Sequence, residues 1–116
     1  MAKCFWTLTV ILTCSFAYQT SIQQGTASYY HNKFEGKRTS SGEVFRQDSL
    51  TAAHKNLPFG TLILVKNLKN DSTVVVKIND RLSQSSSHII DLSLKAAQKL
   101  NFVKNGITTV TLEKIN

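Results

Sequence analysis

Three side chains in this sequence are singled out as candidates to move protons. Glu43 and His54 stand eleven positions apart in "GEVFRQDSLTAAHKNLPFGT" (42–61), and Asp91 sits in "HIIDLSLKAAQ" (88–98). A carboxyl against apolar walls keeps its proton to higher pH, because burial disfavours the charged form. Asp91 follows the apolar pair Ile89-Ile90 and is the first choice for such an acid. An aspartate just ahead of a helix can also cap it, although Ser93 could take that place and leave Asp91 free. His54 likewise reads either as a site group or as a satisfied structural histidine. No metal is expected, since His31, His54 and His88 lie far apart and show none of the short ligand spacings of a zinc site. Neither a phosphate-cradling glycine loop nor a Gly-x-Ser-x-Gly elbow occurs, and no cofactor is implied.

The elements that must position these groups are short. β-type runs at 26–30, 50–53, 61–66, 73–78, 88–90 and 107–112 are separated by turn signals. "TLILVKN" and "STVVVKIN" flank Asn70-Asp71, a pair suited to positive φ, and read as a hairpin. The runs 62–65 and 74–76 are apolar at every position, which predicts strands buried on both faces. "DLSLKAAQKLN" places Leu94, Ala97 and Leu100 at helical spacing, with Asn101 ending the helix. Six short strands and one clear helix suit a small closed barrel, which leaves no strand edge exposed.

A chain of 116 residues suggests one domain. Met1-Ala2-Lys3, an apolar stretch at 4–17 and the small residues Ser15 and Ala17 form the three parts of an export signal, cut after Ala17. The apolar stretch is too short to span a membrane, so no stable membrane insertion is expected after cleavage. Cys4 and Cys14 leave with the signal, and the domain must then fold without a disulfide. Lipid attachment at Cys14 is a minor alternative. Residues 18–24 read as a linker and 25–116 as the domain, acting as a monomer in the periplasm or envelope. The net charge is +7, and +6 once Lys3 is removed. Basic residues occur singly or in pairs, and export removes nucleic acid as a partner. The charge suits either an anionic wall surface or plain solubility.

Five blocks in order carry a resemblance: "GTASYY" (25–30), "FEGKRTSSGEVF" (34–45), "LTAAHKNLPFGTLILVKNL" (50–68), "VVVKINDR" (74–81) and "IIDLSLKAAQKL" (89–100). Together they resemble the rare lipoprotein A (RlpA-like) family, whose domain is a six-stranded double-psi β-barrel with one or two short helices. The resemblance implies an endolytic lytic transglycosylase acting on the β-1,4 bonds of peptidoglycan strands stripped of stem peptides, leaving 1,6-anhydro ends. Such a cut can manage with one acid/base group, because the sugar's own 6-hydroxyl attacks.

Glu43 and His54 match residues that the family needs for activity, Glu43 as an alternative acid or a ligand for sugar hydroxyls. Asp80 and Arg81 read as an ion pair supporting the groove, or as direct sugar contacts. Tyr29, Tyr30 and Phe59 are candidates for stacking on sugar rings, or for the core. The family commonly has an aspartate where Arg46 stands, and Asp48 is only a partial substitute. Arg46 favours the alternative of a non-catalytic, expansin-like module that binds wall glycans. The catalytic reading requires Glu43, His54 and Asp91 to meet in one sugar-sized trough.

Overall fold

The computed structural model describes residues 22–116 of the chain; the export signal, its exit after Ala17, and Cys14 lie outside the described residues. Six strands, β1 (Ile22–Tyr29), β2 (Thr51–His54), β3 (Leu62–Asn67), β4 (Thr73–Arg81), β5 (Ile90–Leu92) and β6 (Thr108–Lys114), close a barrel in the order β1-β5-β2-β4-β3-β6. The pairs β1–β5 and β2–β4 are parallel, and the remaining four are antiparallel. β1 opens three residues ahead of Gly25, within the stretch read as linker. Ile22, Gln23 and Gln24 pair there with Glu113, Leu112 and Thr111 of β6, so this segment supplies barrel wall.

Alternation decides which side chains fill the barrel. Ile63 and Val65 of β3, Val74, Val76 and Ile78 of β4, and Ile90 and Leu92 of β5 point inward and join one core. The expected burial of both faces of β3 and β4 does not occur. Val75 is 40% exposed on the outer face, since no described residues cover it as helices cover a parallel sheet. The turn between them forms as expected, with Asp71 at φ 62°.

Among the described residues, one α-helix, α1 (Leu94–Lys99), packs on the barrel core with the buried Ala96 and Ala97 and the adjoining Leu100. Ser93 is its cap, and its hydroxyl accepts from the Ala96 amide. Asn101, at φ 56°, takes the left-handed conformation that ends a helix. Residues 30–50 hold one 3-10 turn (Asn32–Phe34) and no strand, and fold back over the outside of the barrel. A second small core pins them there, formed by Tyr30, Phe45 and Ala53 with Leu82 packed against it. Tyr30 and Phe45 stack with ring centroids 4.2 Å apart.

Gly25 has no room for a side chain, since a Cβ would lie 2.7 Å from Cγ2 of Ile89. Gly25→Ala is expected to destabilise the barrel by about 1–3 kcal/mol, the usual range for overpacking. Adding Ile89→Ala should recover part of that loss in urea melts. An unchanged melt for the single variant would show that β5 shifts freely against β1.

Candidate active site

The register of four strands sets one row of side chains on the outer face. Asp91 of β5 pairs with Ser28 of β1 on one side and with Ala53 of β2 on the other. Ala53 pairs in turn with Asp80 of β4. Residues in register share a face, so the two aspartates flank the Ala53 methyl with backbones two strand spacings apart, roughly 10 Å. This arrangement depends on a bulge. Ala52 pairs with Ile78 but Ala53 with Asp80, so Asn79 is an extra residue on β4 that turns Asp80 outward.

The two carboxyls have opposite environments. Asp91 is largely buried and accepts one hydrogen bond, from the Ser28 hydroxyl at 3.0 Å. Its burial pushes the carboxyl above its usual range, against the Ser28 bond and a nearby His88 that act the other way. At Asp80 burial also works against the charge. Hydrogen bonds from the Tyr30 hydroxyl to Oδ2 (2.5 Å) and from the Ser40 and Arg81 amides to Oδ1 (2.8 and 2.9 Å) outweigh it and hold the group below its usual range. Asp91 thus holds its proton to higher pH than Asp80 does. Tyr30 is correspondingly held in its neutral form, by burial first and then by its bond to Asp80.

The residues expected to share one trough separate into groups. Glu43 belongs to the outer face but is neighbour to Lys77 and Asn79 rather than to Asp91. Lys77 Nζ donates to Oε2 at 2.9 Å and Asn79 Nδ2 to Oε1 at 3.1 Å, which together keep its carboxyl below the usual range. Glu43 therefore has no proton to give near neutral pH. His54 adjoins Ala53 along β2 and so turns to the opposite face, where it pairs with Ile90 and is 4% exposed. Its Nδ1 accepts from the amides of Asn56 and Leu57, so Nε2 carries the proton and donates to Gln23 Oε1 at 3.0 Å. Burial, with Arg81 and Lys55 nearby, pushes the imidazole pKa down. Both ring nitrogens are thus committed within the fold.

Three further expectations need correction. Asp80 and Arg81 form no side-chain ion pair. The Arg81 guanidinium turns away to lie 4.2 Å over the Phe59 ring, and its Nη1 reaches the carbonyls of His54 and Asp80 at 3.4 Å. Tyr30 offers no ring to a ligand, being 7% exposed between Phe34 and Phe45, and only its hydroxyl reaches the site. Asp48 is exposed beside Leu94, Lys95 and Gln98 of the helix region and takes no part in the aspartate row. Arg46 stays clear of the row as well, pairing with Glu35 at 3.4 Å on the surface.

Phe59 remains exposed, at 43%. Ser28 had no signal of its own in the sequence, since a lone serine in a strand is unremarkable until register sets it beside Asp91. His88 is also new here: its Nδ1 is the buried side-chain atom left without a partner among the described residues. No three His, Cys, Asp or Glu side chains group as metal ligands among those residues.

Comparison with known proteins accords with this architecture. Residues 22–112 match the family model described as lytic transglycolase. An endolytic peptidoglycan transglycosylase RlpA of Haemophilus influenzae is 45% identical over 95 residues, 82% of this chain and 33% of that protein. A protein of the same name from Neisseria meningitidis is 45% identical over 93 residues, covering 80% of this chain and 39% of its own length. The chain spans about a third of the length of the curated relatives it matches. Among solved structures, a Streptomyces papain inhibitor superposes with TM-score 0.67 at 21% identity, over 83% of this chain and 96% of that one. An expansin of Clavibacter michiganensis gives 0.66 at 19%, over 83% and 51%. These likenesses show the fold, and the expected double-psi barrel stands.

Two outcomes follow from the opposed environments. Burying the Asp91 charge costs stability above its raised folded pKa, and that cost disappears below the unfolded value. Asp91→Asn should therefore raise the melting temperature at neutral pH. The gap to the parent should close as pH falls below about 4. Nitrogen NMR of His54 should show a neutral Nε2–H ring at pH 6, where a free imidazole is mostly protonated. A titrating ring there would contradict the hydrogen bonding described above.

Proposed function

The chain belongs to the lytic transglycolase family, and from that premise we propose that it cuts the β-1,4 bonds of peptidoglycan glycan strands by lytic transglycosylation. It does so within peptide-free strands, as a monomer in the cell envelope, and leaves 1,6-anhydro ends. Glu43, His54 and Asp91 do not meet in one trough, so the reading rests instead on a single acid/base group, Asp91, and on its contrast with Asp80. Hydrolysis would ask the second carboxylate to activate water or attack the sugar. Asp80 is poorly placed for that, since both of its oxygens accept hydrogen bonds from the protein and its basicity is lowered. Asp91 is left as the one carboxyl of the row with a proton to give.

In the cut, Asp91 donates that proton to the glycosidic oxygen as the bond from C1 to O4 breaks. The 6-hydroxyl of the same sugar then closes on C1 and returns its proton to the Asp91 carboxylate. No water is consumed. Ser28 holds Oδ1 and leaves Oδ2 for the substrate, and the negative Asp80 across Ala53 favours the positive charge that develops at C1.

Mass spectrometry of products from peptide-free strands tests the reading. New 1,6-anhydro ends are expected, falling about 100-fold or more in Asp91→Asn, the usual range for loss of a general acid. Because the protonated form acts, the rate should fall as pH rises through the raised pKa of Asp91. Free reducing ends would indicate hydrolysis instead. Strands bound without new ends would leave the wall-binding module standing.

A further inference from the structure

Beside the 39–43 turn, a recess of about 220 Å³ opens along β4. Ser41, Glu43, Phe59, Gly60, Lys77 and Asn79 line it. We propose that this recess is a second sugar subsite, taking one N-acetylhexosamine ring of the strand at a distance from the bond being cut. The proposal rests on the glycan reading above but not on the cutting chemistry.

The recess has two unlike walls, which is what a pyranose requires. A sugar ring has an apolar face of C–H groups and a rim of hydroxyls. Phe59 supplies the apolar wall, and its ring is held in place by the Arg81 guanidinium at 4.2 Å. Aromatic rings so fixed give contact area without losing much freedom on binding. Glu43, Lys77, Asn79 and Ser41 also line the recess, and their side chains are a mixed set of donors and acceptors. Lys77 and Asn79 each use one contact to fix a Glu43 oxygen, at 2.9 and 3.1 Å, and each oxygen keeps a lone pair for a sugar hydroxyl or amide.

Charge and size narrow the ligand. Lys77 is matched by Glu43, so the recess is balanced and favours a neutral ring over an anion. Its volume is below the roughly 300–1,000 Å³ of sites for drug-sized molecules, which leaves room for one ring. The location fits an extended polymer. Lys77 stands three residues before Asp80 along β4, roughly 10 Å of strand, and Asp80 is itself two strands from Asp91. A ring held here lies more than one sugar away from the acid. It would thus help to select long strands cut in their interior. This also gives Glu43 a task suited to a carboxylate that stays ionised.

The test is a nitrogen–proton NMR titration of the full chain carrying Asp91→Asn, which prevents turnover, with the β-1,4 tetramer of N-acetylglucosamine. Amide shifts are expected at Ser41, Gly60 and Lys77 in addition to those around Asn-substituted position 91. Phe59→Ala should weaken the Kd about 10-fold, the scale of one aromatic contact, with Phe59→Trp restoring it. Glu43→Gln should weaken it several-fold. The spectra themselves report whether each variant is folded. Shifts confined to the aspartate row, no binding at all, or a folded Phe59→Ala that binds as tightly as its parent would each overturn the subsite. Saturable shifts at the recess, with no anhydro ends from the unsubstituted protein, would support the subsite while the cutting reading fails.

Discussion

The chemistry of this molecule depends on one extra residue in β4. Without the bulge at Asn79, Ala53 would pair with Asn79, and Asp80 would fall on the inner face beside His54. With it, Asp80 stands in line with Ala53, Asp91 and Ser28. The bulge residue also secures its own consequence. Its carbonyl accepts from the Ser41 amide and its side chain donates to Glu43. The 39–43 turn is therefore tied to β4 at the point where the ladder is interrupted. Bulges commonly re-aim a side chain in this way, and here the unpaired backbone is itself used to hold the segment that covers the site.

Once two aspartates share a face, their surroundings divide the work. Both lose solvent, which alone would raise both pKa values. Asp80 receives three compensating donors, two of them backbone amides, whereas Asp91 receives one hydroxyl. One carboxyl is favoured as an anion with occupied lone pairs, and the other holds its proton to higher pH. Opposite assignments of this kind, set by environment rather than by residue type, are how paired carboxyls acquire separate roles. The assignment reaches back to the minor core, because the Tyr30 hydroxyl that bonds Asp80 is held in place by stacking on Phe45. A packing contact between two buried rings thus helps decide which aspartate keeps a proton.

Much of the scaffold was legible in the sequence because it rests on local signals. The Asn70-Asp71 turn, the helix at 94–99 and the Ser93 cap each follow from residues within a few positions of one another. The sequence left Asp91 and Ser93 both open as caps, and the structure uses Ser93. The site was less legible because register is not local. A shift of one position reverses a side chain's face, and nothing in "VVVKINDR" announces that Asn79 bulges. Adjacent Asp80 and Arg81 read as an ion pair, yet strand alternation sends them to opposite faces. His54 became a site candidate through the family resemblance rather than its type, and two neighbouring amides and Gln23 claim its nitrogens. The burial of Tyr30 depends on how residues 30–50 fold back, in a segment with almost no periodic pattern to read.

That segment also explains how a barrel with so small a core can carry a polar face. Residues 30–50 pack few apolar groups, so hydrogen bonds to the strands must hold much of their position. Gln47 shows the economy of the arrangement. Its side-chain amide donates to the Tyr30 carbonyl while its side-chain oxygen accepts from the Leu94 amide at the start of the helix. One side chain therefore joins the end of β1, which carries Ser28, to the helix that follows Asp91. Such networks weaken disproportionately when one member is lost, since buried partners are then left unsatisfied. The geometry around Asp91 is consequently a property of the whole outer network, and it is better understood as the exposed side of the barrel's register than as a pocket added to a finished fold.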